Sequence, residues 1–332
     1  MSLDSRSTQI DDDVFMAMVE PLRGELTAHC YRMLGSIHDA EDLVQETYIR
    51  AWRAFHGFEN RSSVRTWMYR IATNVCLTAL DGAQRRPMPT GLGQPAADPH
   101  GSLDSRPETP WLEPMPDAVV WGSGKVEDPA AQVVGRETVR LAFVAALQHL
   151  TPQQRAVLIL RDVLAWQSSE VAELLDLSTA AVNSSLQRAR AHMEKLDPDH
   201  GAPPVDEEHV AAMLRSYVEA FEAYDVHRIV ELLTADARWE MPPFAGWYQG
   251  AEQIGALIRN FCPAEKAGDQ VMVPVSANGQ PALALYMIRP DGTHGAFQLQ
   301  MPTVTATGIS YVACFFDTDL FARFGLPDTL AT

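Results

Sequence analysis

The run Arg65-Thr-Trp-Met-Tyr-Arg-Ile-Ala-Thr-Asn74 gathers two arginines, a tryptophan, a tyrosine and an asparagine on one short stretch. Read as a helix, it turns Met68, Ile71, Ala72 and Val75 toward a core at three- and four-residue steps. Trp67, Tyr69, Arg70 and Asn74 then fall mostly on other sides. Large rings on a wet surface need a partner to stack on or bury against. Unpaired bases supply one, at about 1–3 kcal/mol per stacked base, while arginines neutralise phosphates. An ordinary amphipathic helix with a buried Trp67 fits the same residues, and this stretch alone leaves both readings open.

Such a helix needs others to hold it. Val14 to Leu34 carries apolar residues at Val14, Met18, Leu22, Leu26 and Met33, with Gly35 as its stop. Asp39 is expected to cap a second helix, Ala40 to Phe55, whose acidic first turn suits the helix dipole. Leu43, Tyr48 or Val44, and Ala51 form its inward stripe; Asp42, Gln45, Glu46, Ile49 and Arg50 face out. After the loop Gly57–Ser63, Ser62 or Ser63 can cap the helix of Arg65.

From Leu26 to Arg86 the chain resembles region two of the extracytoplasmic-function (ECF) sigma factors, the promoter-specificity subunits of bacterial RNA polymerase. Matching pieces are Cys30-Tyr-Arg-Met-Leu-Gly35, Asp39-Ala-Glu-Asp-Leu-Val-Gln-Glu46, Arg50-Ala-Trp52 and Arg65 through Cys76. The resemblance implies that Asp39, Glu41, Asp42, Leu43, Gln45 and Glu46 dock on the polymerase. It also implies that Asn60, Arg61, Ser63, Arg65, Trp67, Arg70 and Asn74 meet the melted minus-ten element and hold a flipped base. Extruding a base costs a few kcal/mol, which a stacking ring and edge hydrogen bonds offset. Arg85 and Arg86 are candidate phosphate contacts.

From Pro87 to about Asp128 prolines, glycines and acids replace the apolar period, as in a linker without its own core. Within it, Trp111, Leu112 and Met115 sit in a proline-stiffened segment suited to dock in a groove, either the polymerase channel that the family's linker threads or the C-terminal domain. A disordered tether with an incidental Trp111 is the alternative. Helical pattern resumes near Gly135. Thr151-Pro152 caps a helix; Ser168–Asp176 and Thr179–His192 then form two helices across a tight turn. Asn183, Ser184, Gln187, Arg188 and Arg190 lie on the outer face of the second, where small polar groups reach base edges and arginines reach phosphates. Leu150-Thr-Pro-Gln-Gln-Arg-Ala-Val-Leu158, Glu170-Val-Ala172 and Val182 through Arg190 are similar to sigma region four, the reader of the minus-thirty-five element. Leu175-Asp176 departs from the family's apolar-Gly turn.

The tail opens with an amphipathic helix, Glu208–Tyr224, and a shorter one to Leu233. A strand at Ala237–Met241, a helix at Ala251–Phe261 and strands at 270–276, 282–289, 294–304 and 308–316 follow, with Asp291-Gly292 turning a hairpin. This α+β order, with Trp239-Glu-Met-Pro-Pro243, Gly246-Trp-Tyr-Gln-Gly250 and Asp319 through Pro327, resembles the SnoaL-like, ketosteroid-isomerase-like cone. That resemblance implies a cavity lined or lidded by Trp239, Met241, Phe244, Trp247, Tyr248 and Phe297, with core packing the alternative for each. Met241 stands where the isomerase pattern has its aspartate base, and strand alternation aims Glu240 the other way. His294, Tyr286 and Tyr311 are isolated polar groups. No catalytic residue, metal or cofactor is therefore expected.

Charge divides the same way. Of the net −17, residues 197–332 carry −11 and residues 87–135 carry −5, leaving −1 for 1–86 and 136–196 together. Neither presumed DNA-reading segment is strongly basic, so free DNA affinity should be weak. Cys30, Cys76, Cys262 and Cys314 show no metal or CxxC spacing and read as reduced thiols. With no apolar run near 20 residues and no signal peptide, the expected setting is cytoplasmic. The expectation is a multidomain chain: region two at 12–86, linker at 87–134, helix-turn-helix region four at 135–196, and a SnoaL-like domain at 206–326. Two all-α domains thus precede an α+β cone. Its expected partners are polymerase core and promoter DNA. The tail would modulate activity through the sigma regions, the linker or a small hydrophobic ligand. A ligand-responsive DNA-binding regulator acting without polymerase, and an enzyme active through the tail, are the rival functions.

Overall fold

The computed structural model describes residues 12–58, 62–121, 137–196 and 205–330. The chain divides into two compact units: residues 1–86 with 113–200, and residues 87–112 with 201–332.

In the first unit, helical residues 12–19 tighten into a 3-10 turn at Glu20–Leu22, around Pro21, before α1 (Arg23–Leu34). Gly35, in the left-handed region at φ 75°, ends α1 as its composition suggested. Ser36, not Asp39, caps α2 (Ile37–Ala54), its hydroxyl accepting from the Asp39 N–H at 3.1 Å. Asp39 instead lies in the first turn, where its charge still suits the dipole. Ser63 caps α3 (Val64–Leu80), accepting from the Thr66 N–H at 3.0 Å. Leu26, Met33, Ile37, Val44, Met68, Ala72 and Val75 are buried in this unit, and each large apolar side chain so placed contributes about 1.5–3 kcal/mol. Leu43 and Ile71 are only half-buried.

Within the same unit follow α4 (Leu141–Leu147), α5 (Pro152–Leu158) extended by a π-turn at Ile159–Val163, α6 (Ser168–Leu175) and α7 (Thr179–Leu196). Thr151 and Gln154 close a capping box around Pro152. The departure at Leu175-Asp176 is absorbed by Asp176, which takes the left-handed conformation at φ 53° that a short polar side chain tolerates. The Ser178 hydroxyl then accepts from the Ala181 N–H, starting α7.

The second unit has α8 (Glu207–Glu222), α9 (Val226–Leu232), β1 (Leu233–Glu240), β2 (Trp247–Gln249), α10 (Ala251–Phe261), β3 (Gln270–Ala277), β4 (Gln280–Ile288), β5 (His294–Thr305), β6 (Gly308–Phe315), α11 (Asp319–Arg323) and β7 (Thr329–Leu330). The sheet runs β2-β1-β6-β5-β4-β3, with β7 on β5; β1 and β6 are parallel. Trp239 pairs with Tyr248 on β2 and Val312 on β6, which places the three on one face. That face packs with Tyr217 and Phe221 of α8 into the domain's core.

Residues 87–112 differ from the expected coreless linker: they belong to this second unit. The Ala97 N–H donates to the Trp247 carbonyl at 2.7 Å, Ala245 N–H to the Asp104 carbonyl at 2.8 Å, and Arg106 N–H to the Pro243 carbonyl at 2.8 Å. Ala97 and Leu103 also pack on the core. Its backbone is satisfied partly by its own turns, such as Gly91 N–H to the Met88 carbonyl and Gly101 N–H to the Asp98 carbonyl, and partly by residues 243–247, so the segment is ordered without an apolar period.

Candidate nucleic-acid interface and linker site

Because Ser63 sets the start of α3, Arg65, Trp67, Arg70 and Asn74 project from its first three turns. Trp67 is half-buried and stacked on Phe58 of the preceding loop, ring centroids 4.6 Å apart at 24°. Arg65 forms an ion pair with Glu25 at 2.8 Å and lies 5.1 Å over the Tyr69 ring. Tyr69, expected off the core, is buried, its hydroxyl donating to Glu25 at 3.1 Å. Burial, reinforced by the Glu25 charge, pushes its phenol well up from the ordinary value. Helical spacing missed this because α1 brings an acceptor to what would otherwise be an outer position. Asn60 and Arg61 lie outside the described residues.

Arg70 donates to Glu173 of α6 at 2.9 Å, and Trp166 meets Tyr69 edge-on at 6.4 Å. Asn74 is exposed and, with Leu77, lines a cleft of about 660 Å³ whose other walls are Thr151–Gln153 and Leu174–Asp176. Below the surface, His29 of α1 is hydrogen-bonded to Thr73 at 3.0 Å, and burial pulls its imidazole down to about 3. Arg155 of α5 is buried too, reaching the Met33 carbonyl of α1 and the Gln148 side chain at 2.8 Å; burial lowers it to about 10. No spacing rule flags Arg155, since it joins the preceding turn, through Gln148 and Leu150, to the Met33 carbonyl 122 positions away.

On α2, Asp42 and Gln45 are exposed, while Glu41, Leu43 and Glu46 are half-buried; Glu46 pairs with Arg50 at 2.6 Å. Asp39 is held by Arg86 at 2.5 Å. Arg86, a phosphate candidate by sequence, therefore ends on an acid of its own unit, and Glu113 approaches it at 3.6 Å. Glu113 is anchored throughout: its N–H donates to the Gly35 carbonyl at 3.0 Å, its carbonyl accepts from the Tyr31 hydroxyl at 2.7 Å, and its carboxylate accepts from the Ser36 hydroxyl at 2.8 Å. The sequence reading singled out the neighbouring Trp111, Leu112 and Met115 but not Glu113.

On α7, Asn183, Ser184, Gln187, Arg188 and Arg190 are all exposed. Asn183 accepts from the Ser168 hydroxyl, Arg188 donates to Ser184, and Arg190 makes a two-pronged pair with Asp162 at 2.6 and 2.9 Å.

In the second unit, Trp239, Met241 and Tyr248 belong to the buried core, with Phe244 and Phe297 packed edge-on against Phe316. Trp247 departs from the expected lining: its Nε1 donates to the Gln94 carbonyl of the linker at 2.8 Å. Glu240, on the opposite face from Trp239, is 1% exposed, accepting from the Thr90 N–H at 3.4 Å and the Tyr311 hydroxyl at 3.3 Å. Burial raises its carboxyl above the usual range against the smaller opposing effects of Thr90, Arg238 and Tyr311. Tyr286 and His294 also find partners, the carbonyls of Pro327 and Gly268. Among the described residues no group of three or more His, Cys, Asp or Glu is placed to hold a metal, and no helix is long and apolar enough to cross a membrane.

Helices bearing exposed or acid-paired arginines, a helix-turn-helix, and an α+β domain built on one seven-stranded sheet define a three-part architecture. Comparison with known proteins identifies each part. Residues 18–86 match the family described as Sigma-70 region 2, residues 140–193 match Sigma-70, region 4, and residues 214–316 match the SnoaL-like domain. The ECF RNA polymerase sigma factor SigG of Mycobacterium tuberculosis is 56% identical over 319 residues, covering 95% of this chain and 85% of that one. SigJ of the same organism, also an ECF RNA polymerase sigma factor, is 28% identical over 308 residues, covering 86% and 85%. The crystal structure of SigJ shares the fold, with a TM-score of 0.59 at 23% identity over 94% of this chain and all of that one. The chain belongs to the ECF sigma factors.

Proposed function

We propose that this ECF sigma factor works in the cytoplasm by binding polymerase core through α2 and presenting α3 to melted minus-ten bases and α7 to the minus-thirty-five duplex. Asp39, Glu41, Asp42, Leu43, Gln45 and Glu46 are the docking residues. Ser63, Arg65, Trp67, Arg70 and Asn74 on α3, with Asn60 and Arg61 before it, take the unpaired strand, and Asn183, Ser184, Gln187, Arg188 and Arg190 take the duplex. The observation that carries this reading is the pairing of Arg65 and Arg70 with Glu25 and Glu173: the strand-reading face is neutralised in the free chain. DNA then binds when polymerase supplies the remaining contacts and the melted strand.

The C-terminal domain modulates this activity through the linker, which it holds by the bonds of Trp247, Ala245 and Pro243 to residues 94–106. A small hydrophobic ligand in the core of the cone would act by changing that hold, because a ligand shifts an equilibrium only by its difference in affinity for the two states. Reconstituted transcription from a target promoter, with and without core polymerase and with and without residues 206–332, tests the whole. Specific transcripts that need both core and this chain, and that change in amount when the tail is removed, are expected. Promoter binding by the isolated chain as tight as with core would overturn the polymerase-dependent reading. Equal transcription with and without the tail, at matched concentration, would overturn the regulatory role.

A further inference from the structure

Glu240 is a carboxyl that neither DNA reading nor docking uses, and it lies where the linker meets the sheet. Its two neighbours at hydrogen-bond distance come from different elements, Thr90 from the linker and Tyr311 from β6, and both contacts are long. Over it, Pro89 is buried in the 3-10 turn Pro89–Leu92, which Gly93 ends in the left-handed region at φ 78°. The cross-strand neighbours of Glu240 are Trp247 and Ala313, neither of which carries charge. The charged or titratable groups acting on it are Arg238 of its own strand and Tyr311; the turn Pro89–Leu92 contributes none. An ionised carboxylate there lacks the partners that burial of a charge demands.

We propose that Glu240 is a proton-controlled latch for the linker: as the neutral acid it keeps the Pro89–Leu92 turn seated on the sheet, and on ionising it favours release of that turn into water. This rests on the reading that the C-terminal domain regulates through the linker and adds the chemical event that governs its hold. Lifting the turn hydrates the carboxyl and returns it toward its ordinary value, so proton uptake and docking are coupled. The docked state holds the raised value, as burial dictates. Its advantage is therefore complete at pH below the ordinary glutamate value and is lost as pH rises through the docked one.

Hydrogen exchange of residues 88–94 in the full-length chain, corrected for intrinsic rates and followed from pH 5 to 8, tests the latch. Wild-type protection is expected to fall as pH rises, by up to about tenfold per pH unit, the limit for one linked proton. Glu240→Gln, neutral at every pH, is expected to stay protected with a flat profile. Trp247→Phe, which removes the bond to Gln94 but leaves Glu240 in place, is expected to lower protection at every pH and keep the slope. This variant separates the latch from mere loosening, while Glu240→Gln separates it from any other source of pH dependence in the linker. A wild-type slope that persists unchanged in Glu240→Gln, or a flat wild-type profile with clear protection, overturns the latch and leaves linker docking standing. Exchange at the unprotected rate in all three proteins overturns linker docking itself.

Discussion

Helices α3 and α7 both carry Arg and Asn side chains here proposed to meet DNA, yet they hold them differently. On α3, Arg65 and Arg70 end on Glu25 and Glu173, and Trp67 stacks on Phe58. On α7, Asn183, Ser184, Gln187 and Arg188 stay exposed, with Asn183 accepting from Ser168 and Arg188 donating to Ser184, while Arg190 meets an acid, Asp162. Duplex DNA offers a ready surface of phosphates and base edges, so a reader of it can be left open. Unpaired bases exist only after melting, and a face built for them gains from internal partners in the meantime. The pairs are weak gates: half-exposed ion pairs contribute about 0–1 kcal/mol, small enough for a melted strand to displace.

The contrast breaks most visibly at Trp67. Trp67→Ala is expected to remove about 1–3 kcal/mol of base stacking, reducing promoter opening by roughly five- to 150-fold in a permanganate footprint while the affinity for core polymerase stays the same. An equal loss of core binding would make Trp67 a packing residue. Acid sharpens the contrast from inside region two. His29 titrates near 6.5 when unfolded and near 3 in place, so the stability it supports is full above about pH 6.5 and falls as pH drops toward 3. Urea midpoints of the first unit's transition should fall across that window in the wild type and less steeply in His29→Gln. On α7, Arg188→Ala should weaken minus-thirty-five duplex binding by the holoenzyme a few-fold and flatten its salt dependence by about one phosphate contact; an unchanged slope would place Arg188 off the backbone. The smallest effect is expected of Glu173→Gln, which frees Arg70: an exposed pair of about 0–1 kcal/mol predicts at most about a fivefold rise in opening. A fall instead would mean that Glu173 positions Arg70 for DNA.

Much of this was readable from residue types. The spacing of Met68, Ala72 and Val75 marked the inner face of α3; Thr151-Pro152 marked the start of α5; and Ala251–Phe261 and the strands from 270 to 316 match the observed elements within a few residues. These features depend on local periodicity and caps, which neighbouring residues settle among themselves. What was missed has a common cause. Ser36 displaced Asp39 as cap because both residue types can do the job and the backbone entering α2 chose between them. Tyr69 is buried because α1 supplies Glu25 across the unit. Trp247 turned to the linker because a carbonyl 153 positions away in sequence accepts its N–H.

The sequence by itself determined most of the elements, their order, and the family of each part, since these follow from short-range patterns and linked motifs, while the short strands β2 and β7 and the 3-10 turn at Glu20–Leu22 went unread. Only the tertiary structure decided which acids hold Arg65, Arg70 and Arg86, that Glu113 anchors at the α1–α2 corner, and that residues 87–112 belong with the C-terminal domain around Glu240. Charge pairing and backbone satisfaction between distant segments depend on where the chain returns in space, and a one-dimensional pattern carries no distance across the fold.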